Sequence, residues 1–322
     1  MLDKSAMTAH SRNNLMHTFL LLGGIGGLFM ISAGLLWGLL GVVTAAGTVI
    51  FLSLGAPQIP AAAVMRLYNG QLVDPMSGGQ LVRIVAALAE RAELGYRPNI
   101  YVIPSMALNA FATGTRGKAV IGITEGLLRR LSMRELAGVL AHEMSHIRNN
   151  DLTVMGLADL ISRLTQVLSY IAAMLALVNV FSYIVAGEAA YNWFGIIILY
   201  LAPALSNLLQ LGLSRVREFD ADLDGASLTG DPAGLASALQ KVERYTGHFW
   251  EDLMLPVPAR RVPQPSVLRS HPTTEQRIAR LEELVPTSMH PPIEVVEEPM
   301  ISMVGLGPIS MRPRYRFPGI WF

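Results

Sequence analysis

The 322-residue chain has a formal net charge of +1, 52% hydrophobic residues and only 15% charged ones, against a charged share of about 25% in ordinary soluble domains. A balance so close to neutral excludes the basic field that nucleic acid demands, so no nucleic-acid partner is expected. The absence of cysteine excludes disulfides and thiolate metal sites, leaving histidine and carboxylate as the only strong metal ligands.

The hydrophobic excess is concentrated in three stretches. Asn13 to Met65 contains no Asp, Glu, Lys or Arg. A single span needs about 20 apolar residues, so this stretch predicts a hairpin of two, turning near Trp37-Gly38. Lys4 and Arg12 before it fit the start of a signal peptide, but the apolar run is far too long for one. Leu164 to Gly187 and Ala189 to Ser214 are also free of charge and are separated only by Glu188. They predict a second hairpin over about 164–213, and Gln166, Asn179, Asn207 and Gln210 predict that it packs against protein as well as lipid. The expectation is a mostly α integral membrane protein with about four transmembrane helices. Lys4, Arg12, Arg66, Arg83, Arg148, Arg163, Arg215 and Arg217 all flank one side, whereas the two opposite turns carry no positive charge. That asymmetry places both termini and the segment between the hairpins in the cytoplasm.

Between the hairpins, Ser77 to Glu93 has Leu81, Ile84, Val85 and Leu88 at helical spacing, with Gly95 as the expected stop. Ile100 to Ile103 has strand composition and ends at Pro104. Asn109 to Thr113 and Ala119 to Thr124 flank a glycine-bounded loop, Gly114-Thr115-Arg116-Gly117-Lys118, and predict a hairpin. The edge of such a sheet can pair with an extended substrate backbone or serve structure alone.

The next element carries the chemistry. His142-Glu143-Met144-Ser145-His146 is a HExxH pentapeptide inside a well-bounded helix. Ser132 and Glu135 form a capping box, Leu131 and Leu136 a hydrophobic staple, and Arg148-Asn149-Asn150 supplies a cationic last turn and a left-handed stop. His142 and His146 are i, i+4 and share one face. That spacing suits zinc held by two imidazoles, with Glu143 as general base rather than ligand. Beyond the second hairpin, Glu218 and Asp222 in Ser214-Arg-Val-Arg-Glu-Phe-Asp-Ala-Asp222 again share a helical face. Glu218 can be the third ligand, and Asp222 can accept the second N–H of a ligating histidine. Asn149 and Leu152 replace the glycine and histidine of the HExxHxxGxxH pattern, which excludes a metzincin.

Asp231-Pro232 opens a further helix through Lys241 to Tyr245. A proline-rich connection follows, then His271-Pro272 and a helix with Arg277, Ile278 and Leu281. From Pro286 prolines recur too often for regular packing. The division expected is a transmembrane hairpin over 1–65, a protease domain over 66–285 interrupted by the second hairpin, and a proline-rich tail over 286–322. There is no internal repeat and no nucleotide loop.

Taken together these motifs resemble the HtpX-type membrane-embedded zinc metalloproteases, a family that includes the CAAX prenyl proteases. The resemblance runs from about Ser77 to Leu284. It rests on Asn109-Ala-Phe-Ala-Thr-Gly114, Glu125-Gly-Leu-Leu128, HEMSH followed by Asp151, the Glu218 segment, and His271-Pro with Arg277-Ile. It implies a gluzincin-like α+β core with a small sheet, one Zn2+ on His142, His146 and Glu218, and base Glu143. It further implies a cytoplasmic active site at the inner cell membrane and a role in degrading misfolded or damaged membrane proteins. His271, Arg215, Arg217, Arg277 and Asn109 are candidates for contacting the oxyanion or substrate. The other readings are a CAAX-type prenyl-protein endopeptidase and a non-catalytic zinc-stabilised scaffold, and a scaffold has no use for Glu143.

Overall fold

The computed structural model describes residues 4–55, 60–74, 79–115, 117–253, 274–282, 290–294, 315–316 and 320–321. In chain order these form α1 (Lys4–Gly55), α2 (Ala61–Leu67), β1 (Gln71–Leu72), α3 (Gly79–Arg91), β2 (Asn99–Ile103), β3 (Ala110–Thr113), β4 (Val120–Thr124) and α4 (Glu125–Arg130). There follow α5 (Met133–Arg148), α6 (Asp151–Ala186), α7 (Trp193–Thr229), α8 (Pro232–Leu253), α9 (Thr274–Glu282), β5 (Tyr315–Arg316) and β6 (Ile320–Trp321).

Three helical stretches are long and apolar enough to cross a membrane: Met16–Leu54, Asp151–Ala186 and Trp193–Thr229. The first is not continuous. Gly38 has φ +62° and ψ −145°, a region open essentially to glycine alone, and there α1 folds back on itself. Its two legs pack closely because small residues meet at the crossing. A Cβ on Gly34 would lie 2.8 Å from Val42, and one on Gly41 would lie 2.1 Å from the Ala33 carbonyl. The turn expected at Trp37-Gly38 is therefore where the chain reverses, and α1, α6 and α7 provide four apolar legs. These present Phe19, Leu39, Leu54, Ile184 and Phe194 outward, the inverse of a soluble surface and the arrangement lipid requires. Inside, Ile25, Phe29, Ile161, Leu168 and Leu213 form a core, and Ser162 and Ser206 share a buried hydroxyl pair at 2.8 Å.

The remaining elements form a second core. α3 buries Leu81, Ile84, Val85 and Leu88 against Leu136, Leu140, Met144 and Ile147 of α5 and against Ile121 and Ile123 of β4. The helix ends at Arg91, and Glu93, at φ +54°, makes the left-handed turn that had been expected of Gly95; Gly95 follows with φ +74°. The sheet has the order β1-β2-β4-β3. The β3–β4 pair is the expected antiparallel hairpin, with Ala110 opposite Ile123 and Thr113 opposite Val120. The parallel pairing of β2 with β4 and the two-residue strand β1 had no counterpart in the sequence reading. β3 is an edge strand, and it is the edge beside α5.

Candidate metal centre

The cluster begins with the helix that presents it. The Ser132 hydroxyl accepts from the Glu135 N–H, and Glu135 Oε2 accepts from the Ser132 N–H at 2.9 Å, so the predicted capping box starts α5. The Ser237 hydroxyl and Lys241 Nζ of α8 then reach the same Glu135 carboxylate at 2.6 and 2.7 Å, which fixes the helix against the domain. At the far end Asn150 stands at φ +57°, the left-handed stop the Asn pair predicts. The chain reverses there, and Asp151 opens α6.

On α5, the rings of His142 and His146 turn their Nε2 atoms toward each other at 3.2 Å. Glu218 of α7 completes the group, with Oε2 3.5 Å from His142 Nε2 and Oε1 4.0 Å from His146 Nε2. The ligand atoms of the three residues lie within 4.8 Å of one another. α7 comes this close because Gly225, two turns beyond Glu218, has no side chain. A Cβ there would sit 3.0 Å from the His142 backbone nitrogen.

Each imidazole is held from behind. His142 Nδ1 lies 3.0 Å from Asp222 Oδ1, and His146 Nδ1 lies 2.8 Å from Asp151 Oδ2. A carboxylate accepts only, so each Nδ1 carries a proton, and in the neutral rings that bind a metal the lone pairs sit on the Nε2 atoms. Two such lone pairs 3.2 Å apart repel unless a proton or a metal ion stands between them. Tetrahedral zinc, with bonds of about 2.0–2.1 Å to nitrogen, spaces its ligand atoms about 3.3 Å apart. The donor set therefore fits zinc, and it supplies three protein ligands with one position left over.

Both aspartates carry an arginine. Arg277 of α9 clasps Asp222 with Nε and Nη2 at 2.7 and 2.6 Å and brings Nη1 to 3.5 Å from Glu218. Arg217 Nη1 lies 2.9 Å from Asp151 Oδ1. Glu143 stands beside this cluster and is held from the sheet, where the Ala112 N–H of β3 donates to its Oε2 at 2.9 Å. Burial pushes the Glu143 carboxyl above its ordinary range, although the two imidazoles and that N–H pull the other way.

The sequence candidates separate in the folded chain. His142, His146, Glu218, Asp222 and Arg277 converge, with Glu143 beside them. Arg217 sits on Asp151, and the Arg277 fork is committed to Asp222. Arg215 is half-buried on α7. Asn109 pairs through its backbone with Thr124, its N–H donating to the Thr124 hydroxyl at 3.0 Å. His271 and most of the 286–322 tail lie outside the described residues. Asp151 as the support of His146 was missed; its signal was an acidic residue directly after the left-handed stop of the HExxH helix.

A comparison with protein families matches residues 75–285 to peptidase family M48. The chain belongs to this family. M48 relatives named Protease HtpX homolog are similar over nearly their whole length. The one from Methylibium petroleiphilum is 36% identical over 284 residues, covering 85% of this chain and 98% of its own. Those from Burkholderia ambifaria and Ralstonia pickettii are 35% and 34% identical over 289 residues. Among solved structures, the crystal structure of S. mikatae Ste24p aligns with 19% identity and a TM-score of 0.47, covering 85% of this chain and 66% of that one. The M48 match begins after the first apolar hairpin and includes α5, α6, α7 and α9, the four helices that build the candidate metal centre.

Proposed function

We propose that this M48 membrane metalloprotease is a zinc-dependent endopeptidase that cuts misfolded or damaged membrane proteins at the cytoplasmic face of the inner membrane. The observation that carries the proposal is Glu143. It is a half-buried carboxylate next to His142, outside the ligand set and held by the Ala112 amide. A metal site that served structure alone would have no use for it. On this reading His142, His146 and Glu218 hold the metal, Asp222 orients His142, residues 66–285 form the protease domain and the 286–322 tail lies outside it.

Zinc, when bound by three protein ligands, supplies a Lewis acid that acidifies water and polarises the scissile carbonyl. Glu143 accepts the proton of the attacking water and returns it to the leaving amine. Its raised pKa suits both halves of that exchange, since a base poised nearer neutrality also serves as an acid. The free edge of β3 offers an extended substrate main-chain partners, because Ala112 points its amide away from β4 and toward the base. The side on which Arg66, Arg83, Arg148, Arg163, Arg215 and Arg217 cluster supports the cytoplasmic assignment.

The test is metal analysis together with cleavage of casein and of a model membrane protein, comparing the native chain with Glu143→Gln. The expected result is about one zinc per chain in both and hydrolysis only in the native form. Cleavage by Glu143→Gln near the native rate, in protein free of contaminating protease, would exclude Glu143 as the base. A reporter fused after Leu284 that is active only outside the cytoplasm would reverse the orientation.

A further inference from the structure

The two imidazoles are supported by crossed pairs. Asp222, from α7, supports His142 and is clasped by Arg277 of α9. Asp151, from the first turn of α6, supports His146 and faces Arg217 of α7. α7 thus contributes the carboxylate of one pair and the cation of the other. Arg217 is also the residue next to Glu218, so one helical turn delivers the third ligand inward and a guanidinium sideways to the acceptor behind the second ligand.

The chemistry gives Arg217 a definite task. The Asp151 side chain is 2% exposed and that of Arg217 is 12% exposed, so the pair is almost removed from water. A carboxylate buried that deeply is costly to keep ionised without a counter-charge. The N-terminal end of α6, where Asp151 stands, favours negative charge but by a modest amount. The one carboxylate presents Oδ1 to Arg217 and Oδ2 to the His146 Nδ1–H, so an Asp151 released by Arg217 would be free to turn its Oδ2 away from the ring. The ring would then lose the bond that fixes its tautomer and aims its Nε2 lone pair at Glu218 and His142. We propose that Arg217 is a positioning residue of the metal centre: by fixing the Asp151 carboxylate in place it holds His146 in its ligating orientation, and in doing so it locks the adjoining ends of α6 and α7 to the site.

This rests on the zinc reading of His142, His146 and Glu218. The full-length protein in detergent would be compared with Arg217→Gln, Arg217→Lys, Asp151→Asn and the Arg217→Gln/Asp151→Asn double variant. Zinc affinity would be read by competition with a chromophoric chelator, and ligand geometry by the visible spectrum of the cobalt-substituted protein. Arg217→Gln should weaken zinc by about 10–100-fold, the range for residues that support a ligand. Because the two side chains act in series, the double variant should bind no more weakly than Asp151→Asn alone. Arg217→Lys, which can still place a cation on the single facing oxygen, should restore most of the affinity and a native cobalt spectrum. That variant keeps the test decisive if Arg217→Gln fails to fold. Native zinc affinity in Arg217→Gln, a lysine variant as defective as Asp151→Asn, or penalties that add in the double variant would overturn this proposal alone. Failure of the native chain to bind zinc would remove the ligand reading and this proposal with it.

Discussion

The amide of Ala112 donates to Glu143 at 2.9 Å, which joins the sheet edge to the carboxylate beside the His142–His146–Glu218 cluster. That N–H takes no part in the β3–β4 ladder. Proline is tolerated at an outward-facing edge position because no ladder bond is lost, so Ala112→Pro should leave the sheet paired. The hydrogen bond favours the ionised carboxylate, and its removal should raise the pKa of Glu143 further. The expected outcome is a pH–rate profile whose acidic limb moves to higher pH, with zinc content unchanged. An unmoved limb would show that the amide does not tune the base.

Glu218, Asp222 and Glu188 should fall into three classes. Glu218→Ala removes a ligand and should abolish stoichiometric zinc and activity. Asp222→Ala removes the support of His142 and should weaken zinc or activity by roughly 10–100-fold. Glu188 lies in the turn between α6 and α7, at the far end of both helices, and Glu188→Ala should behave as the native protein. Tightly held zinc in purified Glu218→Ala would refute the ligand assignment.

Zinc binding should depend on pH through His146. In the metal-free site its pKa is pushed up to about 9: burial lowers it, but the hydrogen bond it donates to Asp151 and the charges of Glu143, Glu218 and Asp151 outweigh that. The folded value lies above the ordinary 6.5, so in the metal-free protein the shift stabilises the fold fully below about 6.5. That contribution fades as pH rises through about 9. Zinc requires the neutral ring, so its affinity should fall about tenfold per unit as pH drops below 9, with about one proton released at pH 7. Calorimetry in buffers of different ionisation enthalpy counts that proton.

Gly225 tests the contact between α5 and α7. The Cβ of Gly225→Ala would meet backbone atoms of His142 and Ala141 at 3.0–3.3 Å, which cannot move as a side chain can. Separating the helices should cost about 1–3 kcal/mol of stability and draw Glu218 away from the histidines. Thermal unfolding and zinc competition should both report the loss, with zinc affinity the more affected.

The parts of the site that could be read in the sequence are those carried by one helix. His142 with His146 and Glu218 with Asp222 are four residues apart, and helical geometry alone puts each pair on one face. The capping box of Ser132 and Glu135 was legible for the same reason, and so was Gly38, where a glycine interrupts a run too long for one span. What stayed hidden depends on how elements meet. Asp151 reaches His146 only because Asn150 reverses the chain, and Arg217 and Arg277 differ in role through the rotation of α7 and the docking of α9. The parallel pairing of β2 with β4 joins strands with β3 between them in the chain, and β1, two residues long, carries no pattern.

The order in which the ligands occur along the chain also bears on how the enzyme is made. His142 and His146 leave the ribosome early, but Glu218 follows only after α6 and most of α7 have been synthesised. A chain still emerging therefore holds the two imidazoles without the Glu218 carboxylate that completes the cluster. The cluster cannot close until the second apolar hairpin is complete and has brought Glu218 back to α5.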